Sequence, residues 1–441
     1  MSNIKTADSI FLPNGQPTYS YVSRHIINEY GHKESREDLL EQALKEDGTV
    51  ISIAGPSKSG KTALIHRVAA KLRKPVIKIS GIEIDNSDSF WVAVSKKAGM
   101  PLEQKSGKSN SFTEGTKAST ELKAGSPVLL QAAAKLEGEE KNETKQESQY
   151  TNGKWSSEEV AKFINSRNGL LLIDDFHYAS EELQNRIAKT VKHAAESYGL
   201  KVCVAQILHK NDAPIRANPD LDGRIFRLDF QYWPTADLMQ IGDAFSELNA
   251  RVDKDIIEFM ATEAAGSPQL MQRFCKNLCD HYEIKDNNHP HIHVHISSLQ
   301  ELDRIFISGM KHVNKSSLLK AIEEGMDSRG KARNLYIHSE EVKLDVYECC
   351  IAAVTYDPPQ MALTIDEIND RVIKLIQGDK PGKQSLSSTL QRMSVIAKEI
   401  SRKANQGLDF IDIDEDSNFN FIDPYFFYYA RWSSKYYKIR R

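Results

Sequence analysis

The chain has 441 residues, a length that suits two to four domains. Of these residues 40% are apolar and 27% charged, a composition typical of a globular protein. Its net charge of −3 argues against a general nucleic-acid binder, although it does not exclude a local basic surface. No apolar run approaches the roughly 20 residues of a membrane span, and no secretion signal is present, so we expect a cytoplasmic protein with reduced cysteines and no membrane partner.

The first informative element is a glycine-rich loop between a strand and a helix. Residues 49–54 (TVISIA) predict a buried strand, and the helical spacing of apolar residues predicts a helix over 61–72. Between them, Gly55-Pro56-Ser57-Lys58-Ser59-Gly60-Lys61-Thr62 fits the P-loop pattern G-x-x-x-x-G-K-[ST] in full. In such a loop the backbone N–H groups cradle phosphate, the lysine bridges the β- and γ-phosphates and the threonine holds Mg²⁺. We therefore predict an ATP site from Gly55 to Ala63, with Lys61 catalytic and Thr62 a metal ligand.

Strand and helix candidates then alternate. Strands are predicted at 75–80, 169–173, 201–207 and 224–230, with helices at 87–97 and 180–199. This alternation predicts an α/β fold with a mostly parallel sheet and helices on both faces. Residues from about 101 to 154 interrupt it and contain few aromatic residues. We interpret them as a mobile, low-complexity insertion, with a partner-binding or regulatory loop as the alternative.

The apolar strand at 169–173 leads directly into Asp174 and Asp175. Downstream of a P-loop, this is the pattern of a Walker B strand, in which the first acid binds Mg²⁺ through water and the second polarises the attacking water. We therefore predict Asp174 as a metal ligand and both aspartates as catalytic. The alternative is a strand that ends in two turn-forming aspartates.

The second half of the chain is mainly helical. Helices are predicted at 235–248, 254–265, 268–282, 297–313 and 316–326, and again at 342–354, 364–376 and 384–403, before a hairpin signal at 408–422. Three helices followed by a hairpin are typical of a winged helix. We divide the chain into an N-terminal segment that contributes to the nucleotide site (1–48), a P-loop ATPase α/β domain (49–234), a helical lid (235–335) and a winged-helix domain (336–441).

These motifs resemble the AAA+ and STAND P-loop ATPases, above all the ORC/Cdc6-like and archaeal-type ATPases with a C-terminal winged helix. The resemblance covers about residues 19–282 and the C-terminal domain. It implies a sheet in which the Walker B strand neighbours the second strand and one further strand separates it from the P-loop strand. It also implies that Tyr21 and Arg24 pack near the adenine and that Pro268 lies in a sensor turn at the nucleotide. An arginine supplied by a neighbouring subunit is expected at Arg224, with Arg216 as the competitor.

The sequence departs from that family at the expected sensors. Gln269 stands where the sensor turn carries an arginine, and an amide cannot match a guanidinium on phosphate, although Arg273 could substitute. The second acid is Asp175 instead of the more common glutamate. The γ-phosphate sensor is expected at Gln206 or His209, neither of which is the usual asparagine or threonine. These departures favour slow turnover.

Three functions remain open from the sequence. The first is a slowly hydrolysing ATPase that acts as a conformational or oligomeric switch, as a homo-oligomer or with a partner effector protein in signalling or defence. The second is a DNA-binding ATPase of the initiator or transposition-helper type. It has basic residues on its third helix but also acids at positions 412, 414, 415 and 416 that would repel phosphate. The third is a nucleotide-bound adaptor that does not hydrolyse ATP.

The histidines at 289, 291, 293 and 295 are interpreted as structural, with a metal site as the alternative.

Overall fold

The computed structural model describes residues 4–27, 30–84, 87–101, 155–207, 224–296, 298–313, 315–326, 332–403, 409–414 and 417–440. Almost all of the predicted insertion therefore lies outside the described residues, as do His209, Arg216, Glu415 and Asp416. None of the described helices combines the length and the apolar character needed to cross a bilayer. All five cysteines are described, buried and unpaired, which agrees with the expectation of reduced thiols.

The elements of the N-terminal and α/β parts follow in chain order. The N-terminal part contains α1 (Ala7–Ile10), β1 (His25–Ile27), β2 (Lys33–Ser35) and α2 (Arg36–Lys45). The α/β part contains β3 (Val50–Ala54), α3 (Lys61–Lys71), β4 (Val76–Ser80), α4 (Ser87–Lys97), α5 (Ser157–Ser166), β5 (Leu170–Asp174), α6 (Glu181–Tyr198), β6 (Lys201–Gln206) and β7 (Ile225–Asp229). Helix α6 begins after Ser180, whose hydroxyl accepts a hydrogen bond from Leu183 N, and ends at Gly199 in a left-handed conformation.

Within the described ranges, β3 to β7 form a parallel sheet in the order β4-β5-β6-β3-β7. Strand β5 neighbours β4, and β6 separates β5 from the P-loop strand β3, as the family resemblance implies. Helices α2 and α3 cover one face, and α4, α5 and α6 cover the other, which explains why β3 and β5 are buried throughout. The P-loop NTPase sheet predicted from the sequence is therefore confirmed.

The helical part contains α7 (Thr235–Gly242), β8 (Ala250–Val252), α8 (Lys254–Glu263), α9 (Pro268–His281), β9 (Ile292–Val294), α10 (Leu299–Gly309) and α11 (Ser316–Glu324). The helices predicted at 235–248 and 297–313 each change to a 3-10 turn in their last part, over Asp243–Leu248 and Met310–His312. The first of these turns ends at Asn249, whose left-handed backbone leads directly into β8. Strands β8 and β9 form a short parallel pair that the sequence patterns do not predict.

The C-terminal part contains β10 (Tyr336–Ile337), β11 (Lys343–Leu344), α12 (Val346–Val354), β12 (Ala362–Leu363), α13 (Ile365–Leu375), α14 (Lys383–Lys403), β13 (Ile411–Ile413), β14 (Phe419–Phe421), α15 (Pro424–Trp432) and α16 (Ser434–Arg440). Strands β12, β14 and β13 form an antiparallel sheet in that order. The helix predicted from residue 342 begins only at Val346, because Lys343 and Leu344 pair with β10 in a hairpin.

The helical and C-terminal parts share one hydrophobic core, which also includes α1. At its centre Arg431, fully buried on α15, donates to both carboxylate oxygens of Glu263 at 2.6 and 2.9 Å. Trp432 donates to the same carboxylate through Nε1 at 2.9 Å, and its ring stacks on Phe306 of α10. These contacts join the lid helices to the C-terminal part as one packed body.

Candidate functional site

The P-loop has a backbone shape that two glycines make possible. Gly55 follows β3 with φ 155°, and a Cβ atom built on it would lie 2.4 Å from Phe230 Cβ and 2.7 Å from Phe230 O. Gly60 has φ 98° and caps the start of α3. A side chain at Gly55 would collide with β7's continuation, and one at Gly60 would strain the turn. The loop from Gly55 to Gly60 is thereby held against the N-terminus of α3.

Lys61 and Ser59 are polar groups buried inside this loop. Lys61 Nζ donates to Gly55 O at 2.9 Å and to Pro56 O at 2.7 Å. Burial lowers the pKa of Lys61 to about 8, although Asp174 and Asp175 partly oppose the shift. The Ser59 hydroxyl is buried and has no hydrogen-bond partner among the described residues. Ligand oxygens could satisfy both groups, since buried polar atoms are rarely left unpaired.

Asp174 and Asp175 lie beside Thr62, at the carboxyl ends of the strands. Thr62 donates from Oγ1 to Asp174 Oδ2 at 3.0 Å, and Asp175 N donates to Asp174 Oδ1 at 3.1 Å. A threonine hydroxyl and a carboxylate are oxygen ligands of the type that Mg²⁺ prefers. Asp175 has a left-handed backbone, and burial raises its pKa, with a further contribution from the charge of Asp174.

A cavity of about 530 Å³ lies over this group of residues, a size that suits a nucleotide. Three parts of the chain form its walls: the P-loop and the strand ends, the N-terminal segment, and the first turn of α9. The residues of the α/β part that line it include Ser57, Lys58, Ser59, Gly60, Lys61, Thr62, Ala63, Lys78, Asp174 and Asp175. It is further lined by Leu12, Asn14, Tyr21, Arg24 and Arg36 of the N-terminal segment, by Trp233 just before α7, and by Pro268, Gln269 and Gln272 of α9, among others.

The N-terminal wall of the cavity is fastened to the lid by a buried amide. Gln272 Oε1 accepts from Leu12 N at 3.1 Å, and Gln272 Nε2 donates to Ser20 Oγ at 2.8 Å. Gln269, one turn earlier on α9, donates from Nε2 to Asn14 Oδ1 at 3.3 Å. The amide at the expected sensor position is therefore occupied in holding the N-terminal wall in place.

Tyr21 and Arg24 both line the cavity, where the family resemblance places the adenine. The Tyr21 hydroxyl donates to Glu37 Oε1 at 2.7 Å, and the guanidinium of Arg67 lies 4.1 Å from its ring centroid. Arg24 forms an ion pair with Asp237 at 3.4 Å. Pro268 begins α9 after the Ser267 cap and also faces the cavity. Contact of these residues with a base stays a prediction.

Trp233, Arg36 and Lys78 are among the cavity residues that the sequence analysis does not predict. Trp233 donates from Nε1 to Ser59 O at 2.9 Å, and its backbone N–H donates to Gly266 O, so it joins the P-loop to the lid. Arg36 donates to Asp229 O at 2.7 Å, and burial lowers its pKa to about 10. Lys78 lies on β4 and pairs with Asp174. For Lys78 the sequence offers a local signal, because it is the single charged residue in the apolar run of β4. Trp233 and Arg36 have no such signal.

Other predicted residues lie away from the cavity of their own chain. Arg224 precedes β7 at the amino edge of the sheet, opposite the P-loop, and pairs with Glu196 of α6. It is therefore not part of this chain's own site, and its action on a neighbouring subunit stays a prediction. Gln206 is buried at the end of β6, where its carbonyl accepts from Gly55 N at 3.2 Å. The Arg273 guanidinium lies 5.8 Å from the ring centroid of Tyr425.

The histidine run is placed on the edge of the lid. His293 and His295 both hydrogen-bond to Asp253, at 2.6 and 2.5 Å. In the part of the chain that the structure describes, no group of three or more His, Cys, Asp or Glu side chains is arranged to hold a metal ion. A Mg²⁺ ion at Thr62 and Asp174 would therefore complete its coordination with nucleotide and water oxygens.

Comparison with known proteins gives likenesses in structure only. No protein-family model matches the chain, and no curated protein matches it in sequence. Among similar solved structures, a Walker-type ATPase of Pyrococcus abyssi is 12% identical, with 94% of this chain and 100% of that chain covered and a TM-score of 0.44. Cdc6p from Pyrobaculum aerophilum is 10% identical, with 99% and 100% covered and a TM-score of 0.40. The Orc1 protein of Aeropyrum pernix, solved in complex with DNA, is 11% identical, with 99% and 98% covered and a TM-score of 0.40. Values this low are no guide to function, which must be inferred from the site itself.

Proposed function

We propose that this chain binds ATP with Mg²⁺ in the P-loop, hydrolyses it slowly, and uses the bound nucleotide to control its conformation or its assembly. The observation that carries the proposal is the arrangement of Lys61, Thr62 and Asp174 under one cavity. Thr62 and Asp174 are hydrogen-bonded at 3.0 Å, and Lys61 is buried in the loop beside them. The Ser59 hydroxyl, which has no hydrogen-bond partner in the described part of the chain, and the glycines Gly55 and Gly60 fit a loop that surrounds phosphate.

The residues divide the work of binding between them. When nucleotide binds, Lys61 Nζ donates to phosphate oxygens in place of the carbonyl oxygens of Gly55 and Pro56. The partial positive charge at the N-terminus of α3 also attracts the phosphates. We propose that Thr62 and Asp174 hold Mg²⁺, which when bound neutralises charge on the phosphates. In this proposal Asp175, the next residue, orients a water molecule.

The contacts of Gln269, Arg24 and Arg224 support slow hydrolysis of ATP. Gln269 replaces the sensor arginine and is held by Asn14. Arg24 lines the cavity but is paired with Asp237, and Arg224 is remote from its own P-loop. Arg24 and Arg224 are therefore held in ion pairs within their own chain, and we propose that a neighbouring subunit supplies an arginine to the transition state.

The switch role is supported by how the cavity is built. The P-loop forms one side, and the other side belongs to the N-terminal segment and the lid, which share a core with the C-terminal part. A nucleotide that draws these walls together would move the lid and the C-terminal part as one body. We propose that this movement acts on a partner effector protein or on a second copy of the chain.

Nucleotide binding and assembly can be tested together. Equilibrium binding of a fluorescent ATP analogue should be lost in Lys61→Ala and retained in Lys71→Ala, a matched control at the exposed end of the same helix. Sedimentation velocity should then show a different particle size or shape with ATP than with ADP. Equal binding by Lys61→Ala and the unchanged protein would refute the P-loop site, and identical sedimentation in both nucleotides would refute the switch.

A DNA-binding ATPase is the second candidate, and it is favoured by the internal use of two acids. In the C-terminal part three helices precede the β13–β14 hairpin, which we propose is a winged helix, and Asp412 is buried and paired with Lys398 at 2.9 Å. Asp414 accepts from Asn418 N in the hairpin turn at 2.7 Å. The charge of Asp412 is therefore offset by Lys398, whereas the Asp414 carboxylate keeps its charge but is hydrogen-bonded within the hairpin. However, Lys383 is also paired, with Asp366, whereas Arg392, Arg402 and Lys403 are exposed on α14.

The DNA candidate predicts that duplex DNA binds to the C-terminal part. Fluorescence anisotropy with a labelled duplex should show saturable binding that Arg392→Ala weakens and that rising salt suppresses. No binding at low salt would remove this candidate. The third possibility, a nucleotide-bound adaptor, shares the binding site but predicts no release of phosphate.

A further inference from the structure

A second lysine, Lys78, reaches the carboxylate at the centre of the candidate site. On β4, Ile77 and Ile79 point into the core, and Lys78 lies on the opposite face, with 46% of its side chain exposed. Its ammonium lies 2.6 Å from Asp174 Oδ2, and Thr62 donates to the same oxygen at 3.0 Å. Asp174 itself is only 5% exposed. One oxygen of a buried carboxylate is thus shared by a hydroxyl group and an ammonium group.

This contact places a positive charge where the proposed metal would be needed. A buried carboxylate is strongly unfavourable unless a cation or hydrogen bonds compensate it. Lys61, the other lysine in the site, donates to loop carbonyls and does not form an ion pair with Asp174. Lys78 therefore supplies the compensating charge at Oδ2, and a hydrated Mg²⁺ ion that used this oxygen would have to displace its ammonium.

Lys78 also belongs to the surface that would receive phosphate. It lines the cavity together with Lys58, Lys61 and Thr62. The lysine side chain has a flexible stem, so an ammonium group released from Asp174 can turn toward an anion in the same cavity. The site thus has a cation of its own at the position where P-loop proteins rely on a metal.

We propose that Lys78 is a built-in substitute for Mg²⁺, which allows the site to bind a metal-free nucleoside triphosphate and competes with Mg²⁺ for Asp174. This inference rests on the proposed function, because it assumes that the P-loop binds a nucleotide. It goes further in two respects. It names Lys78 as the residue that compensates the charge of Asp174 when no metal is bound, and it predicts that Mg²⁺ binds by displacing the Lys78 ammonium group.

The test compares ATP affinity with and without metal. A fluorescent ATP analogue is titrated in excess EDTA and again in millimolar Mg²⁺, with the unchanged protein, Lys78→Met and Lys78→Arg. Lys97→Met is a matched control, because Lys97 is 47% exposed, forms an ion pair with Glu83 and does not line the cavity. Circular dichroism verifies that each variant is folded.

The unchanged protein should bind the analogue in EDTA within about tenfold of its affinity in Mg²⁺. Lys78→Met should lose about tenfold or more in EDTA but only about threefold in Mg²⁺, and it should reach half-saturation at a lower Mg²⁺ concentration. Lys78→Arg should retain metal-free binding. Equal losses in both conditions, or no loss in EDTA, would overturn the role of Lys78. If the unchanged protein binds the analogue in Mg²⁺ but not in EDTA, only this inference is overturned. If it binds in neither condition, the nucleotide site is overturned and this inference with it.

Discussion

The hydroxyl of Tyr425, in the first turn of α15, donates a hydrogen bond to Asn14 Oδ1 at 3.2 Å, across 411 positions of the chain. Asn14 lines the cavity over the P-loop and also accepts from Gln269 of the lid at 3.3 Å. One side chain of the N-terminal segment therefore touches both the helical part and the C-terminal part. It gives the nucleotide site a direct contact with the region that we propose acts on a partner.

Removing the hydrogen bond between Tyr425 and Asn14 should leave ATP binding nearly unchanged but weaken the effect of bound ATP on the C-terminal part. Tyr425→Phe keeps the ring and deletes the donor to Asn14, so ATP affinity should change by less than about threefold. Hydrogen–deuterium exchange of residues 424–432 should be slowed by ATP in the unchanged protein and clearly less in Tyr425→Phe. Tyr429→Phe, on the same helix, is the control. Equal protection in all three proteins would exclude Tyr425 as the connection.

The pKa of Lys61 predicts how ATP affinity depends on pH. Burial lowers this pKa to about 8, so the ammonium charge is present below that pH and is lost above it. Bound phosphate favours the charged form, so affinity should be constant near neutral pH and fall by up to about tenfold per unit above about pH 8. Lys61→Arg keeps its charge in this range, so its affinity, although weaker, should not vary with pH. A flat profile for the unchanged protein, measured by calorimetry, would contradict the assignment.

Trp233 is expected to stabilise the P-loop itself. Its Nε1 donor is the partner of Ser59 O inside the loop, and the ring packs below the Arg24 guanidinium at 4.8 Å. Trp233→Phe leaves a buried carbonyl without its partner, which should lower the free energy of unfolding by about 1–3 kcal/mol and weaken ATP binding. Urea unfolding and ATP titration measure the two effects. Trp91→Phe, whose Nε1 donates to Thr190 away from the cavity, should lower stability without changing ATP affinity.

The buried ion pair between Glu263 and Arg431 should hold the lid and the C-terminal part together. Arg431→Met leaves Glu263 buried with part of its hydrogen bonding lost, and such changes typically lower the free energy of unfolding by about 3–5 kcal/mol. Replacing both residues, as Glu263→Leu with Arg431→Met, should recover part of this loss. Denaturant unfolding followed by tryptophan fluorescence provides the measurement. A loss below about 1 kcal/mol in Arg431→Met would show that the apolar core alone holds the two parts.

The sequence predicts those features that are local along the chain. The strand, loop and helix around Lys61 are contiguous, and the apolar run before Asp174 ends at the same edge of the sheet because parallel strands align their carboxyl ends. The P-loop, the aspartates and most of the element order follow from patterns of this kind.

The remaining features depend on contacts between distant residues. Trp233 is hydrogen-bonded to Ser59 across 174 positions of the chain, and Gln272 to Ser20 across 252. The type of residue at one position does not predict its partner at the other. Strands β8 and β9 are three residues long and pair across about 40 positions, so their alternation is too short to detect. Asp412 looked like a solvent-facing charge in the sequence, but it is buried against Lys398. In each case tertiary packing, which a local pattern does not contain, decides the outcome.

The most direct test of the central claim is the release of phosphate from ATP by the purified chain, measured beside Lys61→Ala and with or without duplex DNA. We expect slow release that requires Lys61 and that duplex DNA does not change. Release at the same rate by Lys61→Ala would contradict the P-loop assignment. A several-fold increase with duplex DNA would favour the DNA-binding ATPase over the switch, and no release despite nucleotide binding would contradict hydrolysis and leave the adaptor.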